Sequence, residues 1–316
     1  MQNIFFDTRI LDKKSREKFS LTEEIMMENA AQGLESCVMP HVFHESARYI
    51  NRPCVLILAG RGNNGADGYA LARRLSCHDF CVAVCCIGEP SSEIAKVQKK
   101  RAELLGVSFI SPYDLDSFAE EKSFDISVVV DCIYGSGFHL PLDAESEAVI
   151  QSANKIEAFK ISCDIPSGLD SAGNGKTVFC ADETVAMGAL KLSLFSDKAK
   201  DFCGKIKVCN LGISRNNFEF LDSPNAFLLE KEEMKLPFRK MQNVHKGTFG
   251  HVAVAAGEKT GAAKIAANAA FSFGAGLATL VGTEDSGFMN IMASLELPEN
   301  TTALVLGCGF GRENSS

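Results

Sequence analysis

The sequence has no C-x-x-C pair, and its closest thiol grouping, Cys81-x-x-x-Cys85-Cys86, lacks zinc-ligand spacing. The stretch MQNIFFDTRILDKK has no uninterrupted apolar core of the kind a secretory signal needs, so the twelve cysteines are expected to be reduced. Cys54, Cys81, Cys85 and Cys132 stand in or beside Val/Ile-rich runs, where a free thiol acts as a small hydrophobe. No apolar run approaches the ~20 residues of a membrane-spanning helix, CVAVCCIG holding only roughly eight. Positive charge is not in surplus: the net charge is −8, which repels a phosphate backbone and argues against a nucleic-acid partner. No repeat with a period of about 20–50 residues is present. These absences point to a soluble, cytoplasmic protein.

What is present is globular. Hydrophobic residues make up 46% of the 316 and charged residues 23%, ordinary values for a folded chain long enough for two domains. Ser20-Leu-Thr-Glu23 has the form of a capping box opening a helix through Ile25, Met26, Met27 and Ala30. Apolar strand candidates follow at 54–59, 81–87, 107–110, 126–131, 159–163, 183–187 and 205–210. Helix-like segments lie between several of them, at about 68–75, 92–105 and 143–155. Alternating strands and helices predict an α/β fold with a parallel sheet covered by helices on both faces. Residues 213–245 break the rhythm with polar clusters and read as a linker. A second α/β segment then begins, with a strand in 250–256, a helix over 261–273 and further strands at 277–281 and 303–306, before the polar tail GRENSS.

Ligands in open α/β sheets bind at the carboxyl ends of strands, so the polar residues that close each apolar run are the site candidates. They are the turn Gly60-Arg-Gly-Asn63-Asn64-Gly65-Ala66-Asp67-Gly68, Asp131 leading into Gly135-Ser136-Gly137-Phe138, Asp164, and Ser167 in Pro166-Ser-Gly-Leu-Asp170. Gly60, Gly62 and Gly65 form a G-x-G-x-x-G between strand and helix, the pattern that brings backbone close to a pyrophosphate. Asp67 would oppose that anion, and the acid expected about 20 residues on is at best Glu89, beyond its strand. A different grouping uses the oxygens together: Asn63, Asn64, Asp67, Asp131, Asp164 and Ser167 suit a hard cation. The loop from Gly135 through His139 and Leu140 to Pro141 has backbone N–H groups to offer phosphates. Asp131 and Asp164 could instead simply cap the next turn.

In order and spacing, LTEEIMMENAA, GRGNNGADG, VDCIYGSGF and DIPSGLD resemble the NAD(P)H-hydrate epimerases, the YjeF N-terminal domain, over about residues 5–215. One departure is Ala66, where that family usually has glycine. His245-Lys-Gly-Thr-Phe-Gly-His-Val252, GAAKIAANAAFSFGAGLATLVG and Leu306-Gly-Cys-Gly-Phe-Gly311 resemble the opening of the ADP/ATP-dependent dehydratase domain often fused behind it.

The resemblance implies a Rossmann-like epimerase domain over 1–212, a linker over 213–245 and an incomplete ribokinase-like segment over 246–316, as in a bifunctional repair enzyme cut short. It implies epimerisation of hydrated NADH or NADPH, with Asp164 as acid and base and Lys191 in support. It implies a potassium ion on Asn64, Asp131 and Ser167. The dinucleotide would lie on Asn63, Asn64, Gly65, Ala66, Asp67, Asp164 and Gly135 to Pro141. ADP or ATP would serve only a complete dehydratase. A homodimer or higher oligomer is expected from the apolar helix with Met26 and Met27. An oxidoreductase using a dinucleotide, or a non-catalytic scaffold of the same fold, are the competing readings.

Overall fold

The computed structural model describes residues 1–42, 52–235 and 240–311, which leaves residues 236–239 of the linker and most of the GRENSS tail outside the described residues. The chain divides into two compact units, Met1–Lys231 and Glu232–Ser316.

In the first unit, β1 (Gln2–Phe5), α1 (Arg9–Phe19) and α2 (Glu23–Val42) precede β2 (Arg52–Ala59). Alternation then sets in with α3 (Asn63–Leu75), β3 (Cys81–Cys86), α4 (Glu93–Leu104), β4 (Ser108–Ile110), α5 (Leu115–Ala119) and β5 (Phe124–Cys132). It continues through α6 (Ala144–Lys155), β6 (Phe159–Cys163), β7 (Glu183–Met187), β8 (Leu190–Lys191), α7 (Lys200–Cys203) and β9 (Lys205–Cys209). The unit closes with α8 (Arg215–Glu219) and β10 (Ala226–Leu228).

Seven strands form one parallel sheet in the order β4-β3-β2-β5-β6-β7-β9. Along β2, Val55, Ile57 and Ala59 face a core filled by Leu34, Val38, Leu71 and Leu75 of α2 and α3. Cys54, Leu56 and Leu58 face the opposite core, with Val149 and Ile150 of α6. Burial on both faces is why these strands read as unbroken apolar runs. The chain runs outward from β2 through β3 to β4, then returns to pair β5 with the other edge of β2. Strand order therefore reverses between β2 and β5, and a crevice opens at their carboxyl ends.

Several local expectations are corrected. Ser20 does not open α2: it is the C-terminal cap of α1, in left-handed backbone at φ 55°, and Thr22 caps α2, its Oγ1 accepting from the Ile25 N–H at 3.2 Å. The helix expected from about Gly68 begins at Asn63, because the glycine turn is already its first turn. Part of the segment read as linker is folded: α8 and β10 lie within it, and β10 pairs with β1 through Asn3 and Phe227, so the unit runs to Lys231. Met26 and Met27 are buried in the unit's own core, and Ile25 beside them is exposed.

The second unit holds β11 (His251–Ala255), α9 (Thr260–Phe273), β12 (Leu277–Val281), β13 (Met292–Ser294) and β14 (Ala303–Val305), in a parallel sheet ordered β13-β12-β11-β14. Val254, Ala263, Ala267, Leu280 and Ile291 make its small core, with Phe271 packed against it, while Phe273 is exposed. Among the described residues no helix is long and apolar enough to cross a membrane.

Candidate active site

A cavity of about 810 Å³ opens where the strand order reverses. Its wall is the Gly60–Asn64 turn after β2, the Ile133–Phe138 segment after β5, Asp164 after β6 and Met187 at the end of β7. Thr8, Arg9 and Asp12 at the start of α1 complete it.

The glycines of the β2–α3 turn are there for close packing. A Cβ on Gly60 would collide with the Ile133 carbonyl, and one on Gly65 with the carbonyl of Gly60. Gly68 lets α3 approach Cys132 of β5. Ala66 lies inside α3, fully buried, its N–H donating to the Gly62 carbonyl at 3.1 Å and its φ not positive, so its Cβ is accommodated without strain. No side chain caps α3, and its first free N–H groups belong to Gly62, Asn63 and Asn64 on the cavity wall. That end of a helix dipole favours negative charge.

Asp164 is the most constrained residue of the site. It has a positive φ of 74°, rare for a residue with a Cβ. This conformation brings its carboxylate to Lys191, whose Nζ lies 2.5 Å from Oδ1, both side chains being buried. The Met187 N–H donates to Oδ1 at 3.2 Å and the Ser136 N–H to Oδ2 at 2.9 Å. Lys191 also donates to the carbonyls of Met187 at 3.2 Å and Ala189 at 3.4 Å. The Gly135 loop is thus less free than its composition suggests: Ser136 is committed to Asp164, and the Phe138 N–H to the Gly135 carbonyl at 3.0 Å.

Asp131, Ser167 and Asn64 are brought together one layer deeper. Asp131 is fully buried and accepts from Ser167 Oγ at 2.6 Å, Ser167 N–H at 2.8 Å, Ser162 Oγ at 3.1 Å and Ile133 N–H at 3.2 Å. Burial pushes its carboxyl up to about 6 against the pull of these donors, Ser167 foremost. Ser167 Oγ in turn accepts from the Tyr134 N–H at 2.9 Å. Asn64 Nδ2 donates to the carbonyls of Tyr134 at 2.9 Å and Cys163 at 3.2 Å.

Other sequence candidates are dispersed. Asn63 lines the cavity but bridges outward, donating to Glu23 at 2.6 Å and accepting from Ser92 Oγ at 3.2 Å. His139 and Pro141 stand at the exposed rim, Leu140 lies off the wall, and Gly65 and Ala66 are buried behind it. Asp67 faces the cavity, where burial and the neighbouring charges of Asp164, Asp12 and Glu23 hold its carboxyl well above the usual range.

Asp12 is a residue of the site that the sequence does not single out. It sits in the first turn of α1, where an acid reads as a complement to the helix dipole. In the fold it lines the cavity, and burial raises its carboxyl to about 6, with Lys191 pulling the other way. No motif carries that signal.

The family model described as YjeF-related protein N-terminus matches residues 23–193. The chain is 36% identical, over 98% of its length, to the bifunctional NAD(P)H-hydrate repair enzyme Nnr of Helicobacter pylori, and spans 65% of that protein. It is 32% identical to the NAD(P)H-hydrate epimerase of Rhodopirellula baltica, over 65% of this chain and 82% of that one. The crystal structure of the yeast protein ynu0 matches with a TM-score of 0.58 at 17% identity, covering 74% of this chain and 98% of that one, a likeness of fold.

Proposed function

The chain belongs to the YjeF-related N-terminal family, and on that premise we propose that it interconverts the R and S epimers of hydrated NADH and NADPH at C6 of the nicotinamide ring. The observation that carries this is the ion-paired Asp164 beside an uncapped helix N-terminus in one cavity. The hydrated ring is a hemiaminal. Protonation of the C6 hydroxyl lets the ring nitrogen expel it as water, and water adds back to the other face of the planar iminium. No electron transfer to an acceptor is involved, so the reaction is an isomerisation. Asp164 is the proton-transfer group, held at one position by Lys191, Ser136 and Met187. The α3 N-terminus and the Gly135–Pro141 loop take the pyrophosphate and ribose.

A potassium ion fits the oxygens beneath the cavity. If the Asn64 amide is turned about, its oxygen joins the carbonyls of Tyr134 and Cys163 and the hydroxyl of Ser167. Asp131 supplies the negative charge through Ser167. Mostly neutral oxygens suit a large monovalent cation, and among the described residues no cluster of His, Cys, Asp and Glu offers a site to a transition metal. Such an ion would tie the β5 and β6 loops together behind the substrate.

The second unit is read as the opening of an ADP/ATP-dependent dehydratase domain, and residues 246–316 by themselves are expected to support no nucleotide-dependent recovery of NADH. Epimer-resolved chromatography of hydrated NADH with the purified chain tests the principal reading: both epimers should approach equilibrium from either side above the enzyme-free rate. Asp164→Asn should slow this at least ~100-fold, the lower range for general acid–base catalysis. Wild-type speed in that variant would remove Asp164 from the chemistry.

A further inference from the structure

Inversion at C6, the reaction on which this inference rests, makes a demand that Asp164 alone does not meet. Water leaves one face of the ring and returns to the other, so proton transfer is needed on both faces. Asp164 is fixed by a cation and two backbone N–H groups and serves one face.

We propose that Asp67 is the second acid–base group, serving the face opposite Asp164, and that Asp12 is the positioning residue that keeps its proton in place. Asp67 stands on α3 and Asp12 on α1, and both line the cavity that Asp164 enters. Among the described residues, no hydrogen bond or ion pair reaches either carboxylate, although Asp164 in the same cavity has three partners. Burial and the charges of Asp164 after β6, Asp12 from α1 and Glu23 from α2 all push the Asp67 carboxyl up, and the other titratable groups within its electrostatic reach are the thiols of Cys132, Cys163 and Cys209. The cations of the cavity and its floor are paired elsewhere, Lys191 with Asp164, Arg9 with Asp7 and Arg61 with Glu145. A carboxyl so placed keeps its proton, and its raised pKa agrees. The two groups thus start from opposite states, a protonated acid and an ion-paired base, as a pair of carboxyl groups in different environments does elsewhere.

In one direction, the Asp67 proton passes to the C6 hydroxyl, the C6–O bond breaks and the ring-nitrogen pair forms the iminium. A water on the opposite face then adds to C6, the electron pair returns to nitrogen, and the proton lost by that water goes to Asp164. The other epimer reacts by the reverse sequence. One proton has moved from Asp67 to Asp164, and exchange with solvent restores the starting state.

The test is Asp67→Asn in the full chain, given each purified epimer in water enriched in oxygen-18. The expected result is inversion slowed at least ~100-fold, with one epimer still acquiring the label at C6 with retained configuration, because Asp164 continues to work on its own face. Inversion at the wild-type rate, or inversion and label exchange lost together, would overturn the proposal. Asp12→Asn provides a check independent of that variant's folding: removing the charge beside Asp67 should move the alkaline limit of epimerisation to lower pH, and an unmoved limit counts against the assignment. Failure of the wild-type chain to interconvert the epimers at all is a separate result, which sinks the functional reading itself.

Discussion

Lys191 Nζ lies 2.5 Å from Asp164 Oδ1, and the two side chains are 2% and 9% exposed. The pair joins β8, which is hydrogen-bonded to β1, to the carboxyl end of β6 in the main sheet. A buried pair of this kind is weak evidence of net stabilisation, because desolvation offsets the attraction, but breaking it is costly.

Lys191→Met should therefore destabilise the first unit by about 3–5 kcal/mol, since it strands a buried carboxylate. The double variant Lys191→Met with Asp164→Asn should recover much of that loss. Urea unfolding of the two single variants and the double variant measures this directly, and additive losses would mean that the pair is not coupled.

The oxygens of Asn64, Tyr134, Cys163 and Ser167, with Asp131 behind Ser167, should take thallium in place of potassium. An anomalous peak among them, absent in Ser167→Ala crystals soaked identically, is the expected outcome. Thallium bound elsewhere and missing here would eliminate the cation site.

Gly65→Ala and Gly62→Ala separate packing from phosphate approach. A methyl at Gly65 meets the Gly60 carbonyl, a backbone atom that cannot step aside, whereas nothing lies within 4 Å of one at Gly62. Gly65→Ala should cost about 1–3 kcal/mol, the range for an overpacked interior. Gly62→Ala should leave the melting temperature nearly unchanged, and any loss it causes should appear in substrate KM.

Asp12 predicts a pH dependence of stability. Its carboxyl is raised from 3.8 to about 6 in the folded protein, mainly by burial, with Asp164 and Asp7 adding to the rise and Lys191 and Arg16 opposing it. A group raised on folding favours the folded state fully below its unfolded pKa, and that contribution is lost as pH rises through the folded value. Asp12→Asn should match the wild type below pH ~4 and be the more stable at pH 7, by at most about 3 kcal/mol for a shift of roughly two units. Equal denaturation midpoints at both pH values would contradict this.

Some of this molecule is legible without a structure, because burial leaves a mark on composition. Strands covered on both faces are largely apolar, so the runs 54–59 and 126–131 fall inside β2 and β5. A strand that ends in a polar residue marks where the sheet meets its ligand, which is how Asp131 and Asp164 stand out from sequence alone. Tertiary structure decided what depends on neighbours distant in the chain. The reversal of strand order between β2 and β5 puts the crevice beside Gly60 and Ile133, and no local pattern encodes which edge β5 will join. The fold of α1 onto that crevice turns Asp12 from a helix-start acid into one of the carboxylates of the cavity, with Asp67, Asp143 and Asp164. The pairing of β10 with β1 draws residues read as linker into the first unit. Lys191, in a short polar-ended segment, finds its meaning only in Asp164, 27 residues earlier in the sequence and 2.5 Å away in the fold, because an ion pair is made by proximity and leaves no periodicity to read.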